Sequence, residues 1–580
     1  MTIFLIVLAT ILIILIVLFV SWFLTMKANG KCPLCAIKTI TIPRKLTMDI
    51  SEDEPINTDV AKTPPMGWSS WNTFRNHIDE ELILETAKAM KNSGLADAGY
   101  QYVNIDDCWQ SSMRDSDGKL QGDLKTFKNG IPNLIKEINE LGLKVGLYSS
   151  NGTLTCEDLP ASLGNEDLDA RTLASWGCEF FKYDFCHSKK ISGDCPAIER
   201  IEINCIDGET FSTNEVLKPE DAEFTGRAKI VKFADLQSGK AIGFIGHGAG
   251  TASFKLNDLP GGKYALTAVY RKAPCFHQQY MQVIVNGELH EVFFPKTKGF
   301  SDTGRAQIIV HLKDGENLIT IQNPVVTLAD SSYIQYRRMG RALKSATADW
   351  AKFTHTEEKP IVFSICEWGT AKPWEWGAKA GNMWRTTHDI FPKWFSIVHI
   401  YDKTIKLYKH AGAGAWNDPD MLEVGNGKLT EDENKSHFSL WCMMAAPLML
   451  GNDIRKFVDG NGNAVEGNSV LKIVTNKHLI AVDQDPLGKP AKMIKKISGV
   501  DVLARPLLNG DVALCLFNRT GSVKNVRLNI SDLADDAYLL MRKSEEYELH
   551  ELWDDERANL TTLSVSVAKH GVRVFRIKSL

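Results

Sequence analysis

The sequence predicts a (β/α)8 barrel of the TIM type, interrupted by an inserted β-sandwich, followed by a C-terminal antiparallel β-sandwich and preceded by a transmembrane helix. Three observations carry this. Eight short apolar runs alternate with helical stretches such as Glu80 to Ser93 and Gly130 to Leu141, as βα units around a parallel sheet require. Between about Ile198 and Asp330 that alternation gives way to period-2 runs over a stretch too long for a plain loop. Residues Ile3 to Leu24 are almost wholly apolar and uncharged, the length a helix needs to cross the hydrocarbon layer.

In chain order, residues 1–25 are expected to form the membrane helix. A cleaved signal peptide is the rival, but the run is long for its apolar core, no Lys or Arg precedes it and no clear small-x-small site follows. Lys27, Lys31, Lys38, Arg44 and Lys45 lie after the helix, and the positive-inside rule places such a flank in the cytoplasm. A catalytic domain beyond the linker is expected on the extracytoplasmic side instead, so the sidedness of this single-pass arrangement stays open. Residues 26–62 are polar with scattered prolines and read as a linker; within it Cys32 and Cys35 form an isolated pair, better suited to a local disulfide or inert thiols than to zinc.

The barrel is expected over 63–197 and 331–488. Its strands lie in PPMGWSSW at 64, YQYVNIDD at 100, LKVGLYS at 143, CEFFKYDF at 178, IVFSICEW at 361, MWRTTHDI at 383, AWNDPDML at 415 and APLMLGND at 446. Residues 198–330 form the inserted β-sandwich, with runs YALTAVYR, MQVIVNGEL and AQIIVHLKDGENLITIQ and turn signals at Pro260-Gly261-Gly262 and Asn286-Gly287. From 489 to 580 short strands such as VALCLFN and GVRVFRI indicate the closing sandwich.

With 67 basic and 71 acidic side chains the net charge is −4, so no global field draws in nucleic acid, and the expected partner is neutral. There is no GxGxxG after a strand, no GxxxxGK[ST] and no HExxH, which leaves nucleotide and zinc-hydrolase readings without their motifs. No metal or cofactor is expected.

Polar residues gather where barrel chemistry gathers, at the C-terminal strand ends: Asp106, Asp107, Asp184, Glu367, Asp389 and Asp420. Glycosidic bonds are usually cut by two carboxyl groups, one protonated to release the leaving oxygen and one ionised. Asp184 in FFKYDFC and Asp389 in MWRTTHDI meet that need, and Lys182 shares the strand face of Asp184, so its charge is expected to keep that carboxylate ionised. An aspartate at a strand end is also an ordinary helix N-cap. The adjacent Asp106 and Asp107 are costly to bury unless hydroxyls or amides bond them, and a sugar offers hydroxyls. Trp68, Trp71, Tyr148, Trp368, Trp374, Trp376 and Trp384 lie beside these acids, and an aromatic plate suits the C–H face of a pyranose, although most tryptophans are simply core.

Taken together, PPMGWSSWNTF, GYQYVNIDDCW, KYDFC, CEWG, WRTTHDI, WNDPDML, MAAPLMLGND and DQDPLG resemble glycoside hydrolase family 27, over about Thr63 to Cys186 and Tyr336 to Gly488. The resemblance implies a retaining α-galactosidase, with α-N-acetylgalactosaminidase, β-L-arabinopyranosidase or a non-catalytic membrane-tethered carbohydrate receptor as alternatives. It makes Asp184 the nucleophile and Asp389 the acid/base. It implies that Trp71, Asp106, Asp107, Tyr148, Lys182, Glu367, Trp368, Arg385 and Asp420 hold the sugar, with Trp374 or Trp376 crowding a 2-acetamido group. It pairs Cys156 with Cys186, whereas the family partner of Cys108 is missing, with Asn76 near its place, and Gly381 stands where some members pair with Cys366. The insert resembles a family 35 carbohydrate-binding module; a structural or oligomerising insert is the alternative. The implied substrate is an oligosaccharide with terminal α-galactose.

Overall fold

A computed structural model describes residues 2–28, 34, 44–207, 210–234, 236–271, 278–295, 297 and 302–580. Cys32, Cys35 and much of the expected linker lie outside the described residues. The chain divides into two compact units, Met1–Ser51 with Lys189–Ser332, and Glu52–Ser188 with Tyr333–Leu580.

The second unit holds the barrel. Its strands are β1 (Met66–Ser69), β2 (Tyr102–Asn104), β3 (Lys144–Ser150), β4 (Phe180–Asp184), β5 (Val362–Ile365), β6 (Met383–Arg385), β7 (Trp416–Asp418) and β8 (Leu448–Leu450). All neighbours pair in parallel, in the order β7-β6-β5-β4-β3-β2-β1-β8. The ring closes just past β7, where Leu422 bridges Leu450 and its N–H donates to Met449 O at 2.7 Å. All eight predicted runs thus supply one barrel strand each.

Side-chain alternation then decides what fills the cylinder. Tyr102, Phe180, Val362, Met383, Trp416 and Met449, one from each of six strands, pack into a single apolar layer across the barrel interior. Two residues further along β4 the same face carries Lys182, and two further Asp184, so the period of 2 that buries Phe180 also aims these charges at the C-terminal rim. Gly146 on β3 is required by close approach: a Cβ there would lie 2.0 Å from Asn104 Oδ1 and 2.9 Å from Phe180 Cβ.

The helices follow local rules. Glu80–Asn92 is capped by Asp79, whose carboxylate accepts the Leu82 N–H, and carries Glu80 and Glu81 in its first turn. Glu431–Met443 opens with a reciprocal Thr430/Glu433 capping box. After the barrel, a six-stranded sheet and a two-stranded ribbon between Lys492 and Ser579 enclose a core that includes Val502, Leu514, Leu528, Leu549 and Phe575.

In the other unit, antiparallel strands from Ala197 to Gln322 form a five-stranded and a six-stranded sheet around an apolar core, the predicted sandwich. Asn286-Gly287 makes the hairpin joining Gln279–Val285 to Glu288–Phe294, with φ of 52° and 92°. The Pro260-Gly261-Gly262 signal makes something else: Ala252–Leu259 and Gly262–Arg271 belong to different sheets, so this turn carries the chain across the sandwich. The same unit contains helix Thr2–Ala28, of which Leu8–Ala28 has a mean hydropathy of 2.8 with none of it buried. Its length and composition fit a membrane span and also a signal sequence.

Candidate active site

At the C-terminal rim of the barrel, side chains from β2, β3, β4 and the loops after β1, β5, β6 and β7 line a cavity of about 110 Å³. Asp106 and Asp107 leave β2, Tyr148 stands on β3, Lys182 and Asp184 on β4, and Arg385 ends β6. Trp71, Trp368, Asp389 and Asp420 come from the loops. Ten of the eleven catalytic and sugar-binding residues expected from the sequence therefore face one space.

Asp184 is 5% exposed and held by two donors. Tyr148 Oη donates to its Oδ2 at 3.1 Å, the Phe185 N–H donates to its Oδ1 at 2.8 Å, and Cys156 Sγ lies 3.7 Å from Oδ2. The Cys156–Cys186 disulfide, with Cα atoms 5.1 Å apart, ties the loops after β3 and β4 beside this carboxylate. Closing a loop across a sequence separation of 30 stabilises the folded state by about 3 to 4 kcal/mol on the chain-entropy account. Cys108 and Cys366 carry no disulfide, in agreement with the missing partners.

Lys182 lowers the pKa of Asp184, as expected, but its hydrogen bond goes elsewhere. Its ammonium donates to Asp106 Oδ2 at 2.8 Å, so its direct partner is Asp106. Burial opposes its charge, but Asp106 and, at longer range, Asp184 hold its pKa well above the ordinary lysine value. Asp184 is itself raised, because burial outweighs the lowering by Lys182 and the Phe185 N–H. Asp107, which accepts the Cys108 and Glu157 N–H groups, is pushed up to about 6 by burial.

Asp389 has the opposite surroundings. Its side chain is 57% exposed at the mouth of the cavity and accepts from Arg385 Nη2 at 3.0 Å. Burial of its inner side works against ionisation, but the Arg385 guanidinium prevails and lowers its pKa. The same Arg385 nitrogen lies 2.9 Å from Asp420 Oδ2, which also accepts the Ile390 N–H and whose pKa burial raises. One buried cation thus faces two carboxylates with opposite proton affinities.

Of the expected aromatic residues, only Trp71, Tyr148 and Trp368 line the cavity. Trp68, Trp376 and Trp384 are fully buried core residues whose indole N–H groups bond Asn452 O, Ala371 O and Asn417 Oδ1. Trp376 packs on Tyr333 and Tyr336, and Trp374 is absent from the cavity lining. Trp368 forms that wall, with φ of 58° and its ring 5.9 Å from His388. Glu367 does not reach the cavity either: it is fully buried, and its Oε2 accepts the Ala371 N–H at 2.6 Å, fixing the turn that presents Trp368.

Sequence reasoning missed Asn72, Arg75 and Met421 in the lining. Asn72 directly follows Trp71 in the same motif, a signal that was available. Arg75, exposed and 5.4 Å above the Trp71 ring, sits in no pattern that marks it.

Behind Asn72, buried Glu423 accepts from Asn72 Nδ2 and Asn426 Nδ2, both at 2.5 Å, and burial pushes its pKa to about 7. A carboxyl raised on folding keeps its proton after the unfolded chain has lost it, so its contribution to stability falls as pH rises from about 4.5 through 7. The expected result is a melting midpoint that drops between pH 5 and 8, with a shallower drop in Glu423→Gln. Calorimetry across that range checks it, and an unchanged slope in the variant counts against the buried proton.

The comparisons agree with this geometry. The family model described as Alpha galactosidase A matches residues 63–199 and 335–485, and the Alpha galactosidase C-terminal beta sandwich domain matches 498–577. An alpha-galactosidase of Oryza sativa subsp. japonica is 30% identical, over 89% of this chain and 85% of its own. Alpha-galactosidase A of Cellvibrio japonicus is 29% identical, over 89% of this chain and 92% of its own. The crystal structure of alpha-galactosidase I from Mortierella vinacea superposes with a TM-score of 0.60 at 26% identity, covering 90% of this chain and 98% of that one.

Proposed function

The chain belongs to the melibiase-type α-galactosidases, glycoside hydrolase family 27, and from that membership we propose that it removes terminal α-D-galactosyl residues from oligosaccharides or glycoconjugates by double displacement. The observation that carries this reading is the single cavity into which Asp184 and Asp389 both open, with Arg385 and Lys182 between the acids around them.

The two carboxyl groups take different parts because they stand differently. Asp184, enclosed and fixed by Tyr148 and the Phe185 N–H, is suited to attack the anomeric carbon along one fixed line. Asp389, at the mouth, can meet both the departing oxygen and the water that later replaces it. Burial raises the pKa of Asp184 while Lys182 and the Phe185 N–H lower it, and Arg385 lowers that of Asp389. A bound galactose removes solvent from Asp389 and offers Arg385 hydroxyl groups in exchange for carboxylate, and both changes raise Asp389. Protonated, it releases the aglycone while Asp184 forms the glycosyl ester; ionised again, it activates water, and the configuration is retained.

Asp106 and Asp107, with Lys182, fit the 3-, 4- and 6-hydroxyl side of the sugar and leave room for its hydroxymethyl group, and Trp71 and Trp368 offer faces to its C–H surface. Parallel assays on chromogenic α-galactoside, α-N-acetylgalactosaminide and β-L-arabinopyranoside test the substrate. The α-galactoside should lead in kcat/KM by more than about tenfold, the effect of a few kcal/mol of selective contact. A different leader reassigns the sugar, and no turnover on any of the three leaves only a receptor.

The remaining assignments belong to the same reading. The segment between the two barrel halves acts as a carbohydrate-binding sandwich, and residues 489–580 as the closing one. The apolar N-terminal helix anchors the enzyme in a membrane with its catalytic part outside the cytoplasm, which the Cys156–Cys186 disulfide favours. Oligomerisation is compatible with this arrangement.

A further inference from the structure

Far along the chain from the catalytic residues, helix Lys477–Asp483 and the C-terminal sandwich bring together two imidazoles and a carboxylate. His478 stands at the start of that helix, His550 on strand Tyr547–Glu551, and Asp555 in the turn leading to strand Arg557–Leu560. One ligand atom from each lies within 4.8 Å of the other two. His478 Nε2 is 3.4 Å and His550 Nε2 2.5 Å from Asp555 Oδ1, and the rings meet edge to face with centroids 4.7 Å apart.

We propose that His478, His550 and Asp555 form a binding site for one zinc-class divalent cation that joins the C-terminal sandwich to the end of the barrel. Two neutral imidazoles and one carboxylate suit zinc and its borderline neighbours, whereas magnesium and calcium prefer oxygen alone. Around a tetrahedral zinc with bonds of about 2.0 to 2.1 Å, ligand atoms stand about 3.3 Å apart, close to the His478–Asp555 spacing of 3.4 Å. The shorter His550–Asp555 contact is a hydrogen bond, and the ion takes the place of its proton. Asp555 has room for that adjustment, because it lies in a turn with φ of 56° and its side chain is 61% exposed. Water completes the coordination from the open side.

The surroundings set the affinity. Lys477 and Arg557 oppose an added cation: Arg557 pairs with Glu548 at 3.1 Å and its Nη2 also lies 3.5 Å from His550 Nδ1, a contact it must give up when that nitrogen carries the ring proton, and solvent beside Asp555 screens both charges. Micromolar affinity is expected, with the proton displaced from His550 Nε2 moving to its Nδ1.

The test uses the full chain in detergent, stripped with a chelator, titrated with Zn²⁺ and, for its spectrum, with Co²⁺. The expected result is one Zn²⁺ per chain, a higher melting midpoint with Zn²⁺ but not with Mg²⁺, and a Co²⁺ spectrum without thiolate charge-transfer bands. His478→Ala, His550→Ala and the exposed Asp555→Asn should each weaken this uptake by more than about tenfold while α-galactoside turnover persists. No uptake, uptake equally tight in Asp555→Asn and His478→Ala, or thiolate bands that assign the ion to cysteines overturns the site. None of these outcomes bears on Asp184 or Asp389.

Discussion

Asp184→Asn should lower kcat on an aryl α-galactoside by at least about 10⁴-fold, because the amide keeps the shape of the side chain but cannot form the glycosyl ester. The effect should fall on kcat and spare galactose binding. Asparagine can keep its carbonyl oxygen on the Phe185 N–H and turn its amide N–H toward Tyr148 Oη, whose hydroxyl oxygen can accept, so the cavity walls stay in place. It also removes a buried carboxylate that burial already disfavours, and the melting midpoint should hold or rise. Galactose binding by calorimetry, a thermal melt and steady-state rates on one preparation check all three. Residual activity above about one per cent would mean that another group attacks the anomeric carbon.

Asp389→Ala has the second largest expected effect, and its pattern is more informative than its size. On a substrate with a poor leaving group the first step needs the proton, so kcat/KM should fall by about 10³-fold. On an activated aryl galactoside the first step proceeds, the galactosyl ester accumulates, and a burst precedes slow turnover. Azide, which needs no general base, should then restore turnover and yield α-galactosyl azide, the product of attack from the face Asp389 occupied. Removal of Asp389 also leaves Arg385 with Asp420 alone, so a modest rise in KM accompanies the kinetic change. If azide has no effect on rate or product, Asp389 does not serve as the base.

The barrel was legible because its strands are buried on both faces and so read as short apolar runs ending in charge. Phe180, Lys182 and Asp184 show why: one alternation fixes the core, its supporting cation and the proposed nucleophile together. The two carboxylates could be found for the same reason, each following such a run. Legibility ended where a property belongs to the folded surroundings. An indole beside an acid in sequence reads alike whether it lines a cavity, as Trp368 does, or fills the core, as Trp376 and Trp384 do. Glu367 occupies a strand end like the others, yet its carboxylate turns inward to the Ala371 N–H. Lys182 was assigned to its neighbour on the strand because the closer Asp106 comes from β2, 76 residues away. Period-2 runs gave the inserted strands without saying which sheet each joins, and the Pro260 turn therefore crosses the sandwich unannounced.

All of this rests on Asp184 being the group that bonds to the sugar. A 2-deoxy-2-fluoro-galactosyl inactivator or a 5-fluoro analogue slows the second step and leaves the sugar on its nucleophile, where peptic digestion and mass spectrometry locate it. The label should sit on Asp184, in the peptide containing Lys182-Tyr183-Asp184. A label on Asp389, whose pKa Arg385 lowers, would exchange the two roles, and a rapidly inactivated enzyme carrying no sugar would contradict the covalent mechanism itself.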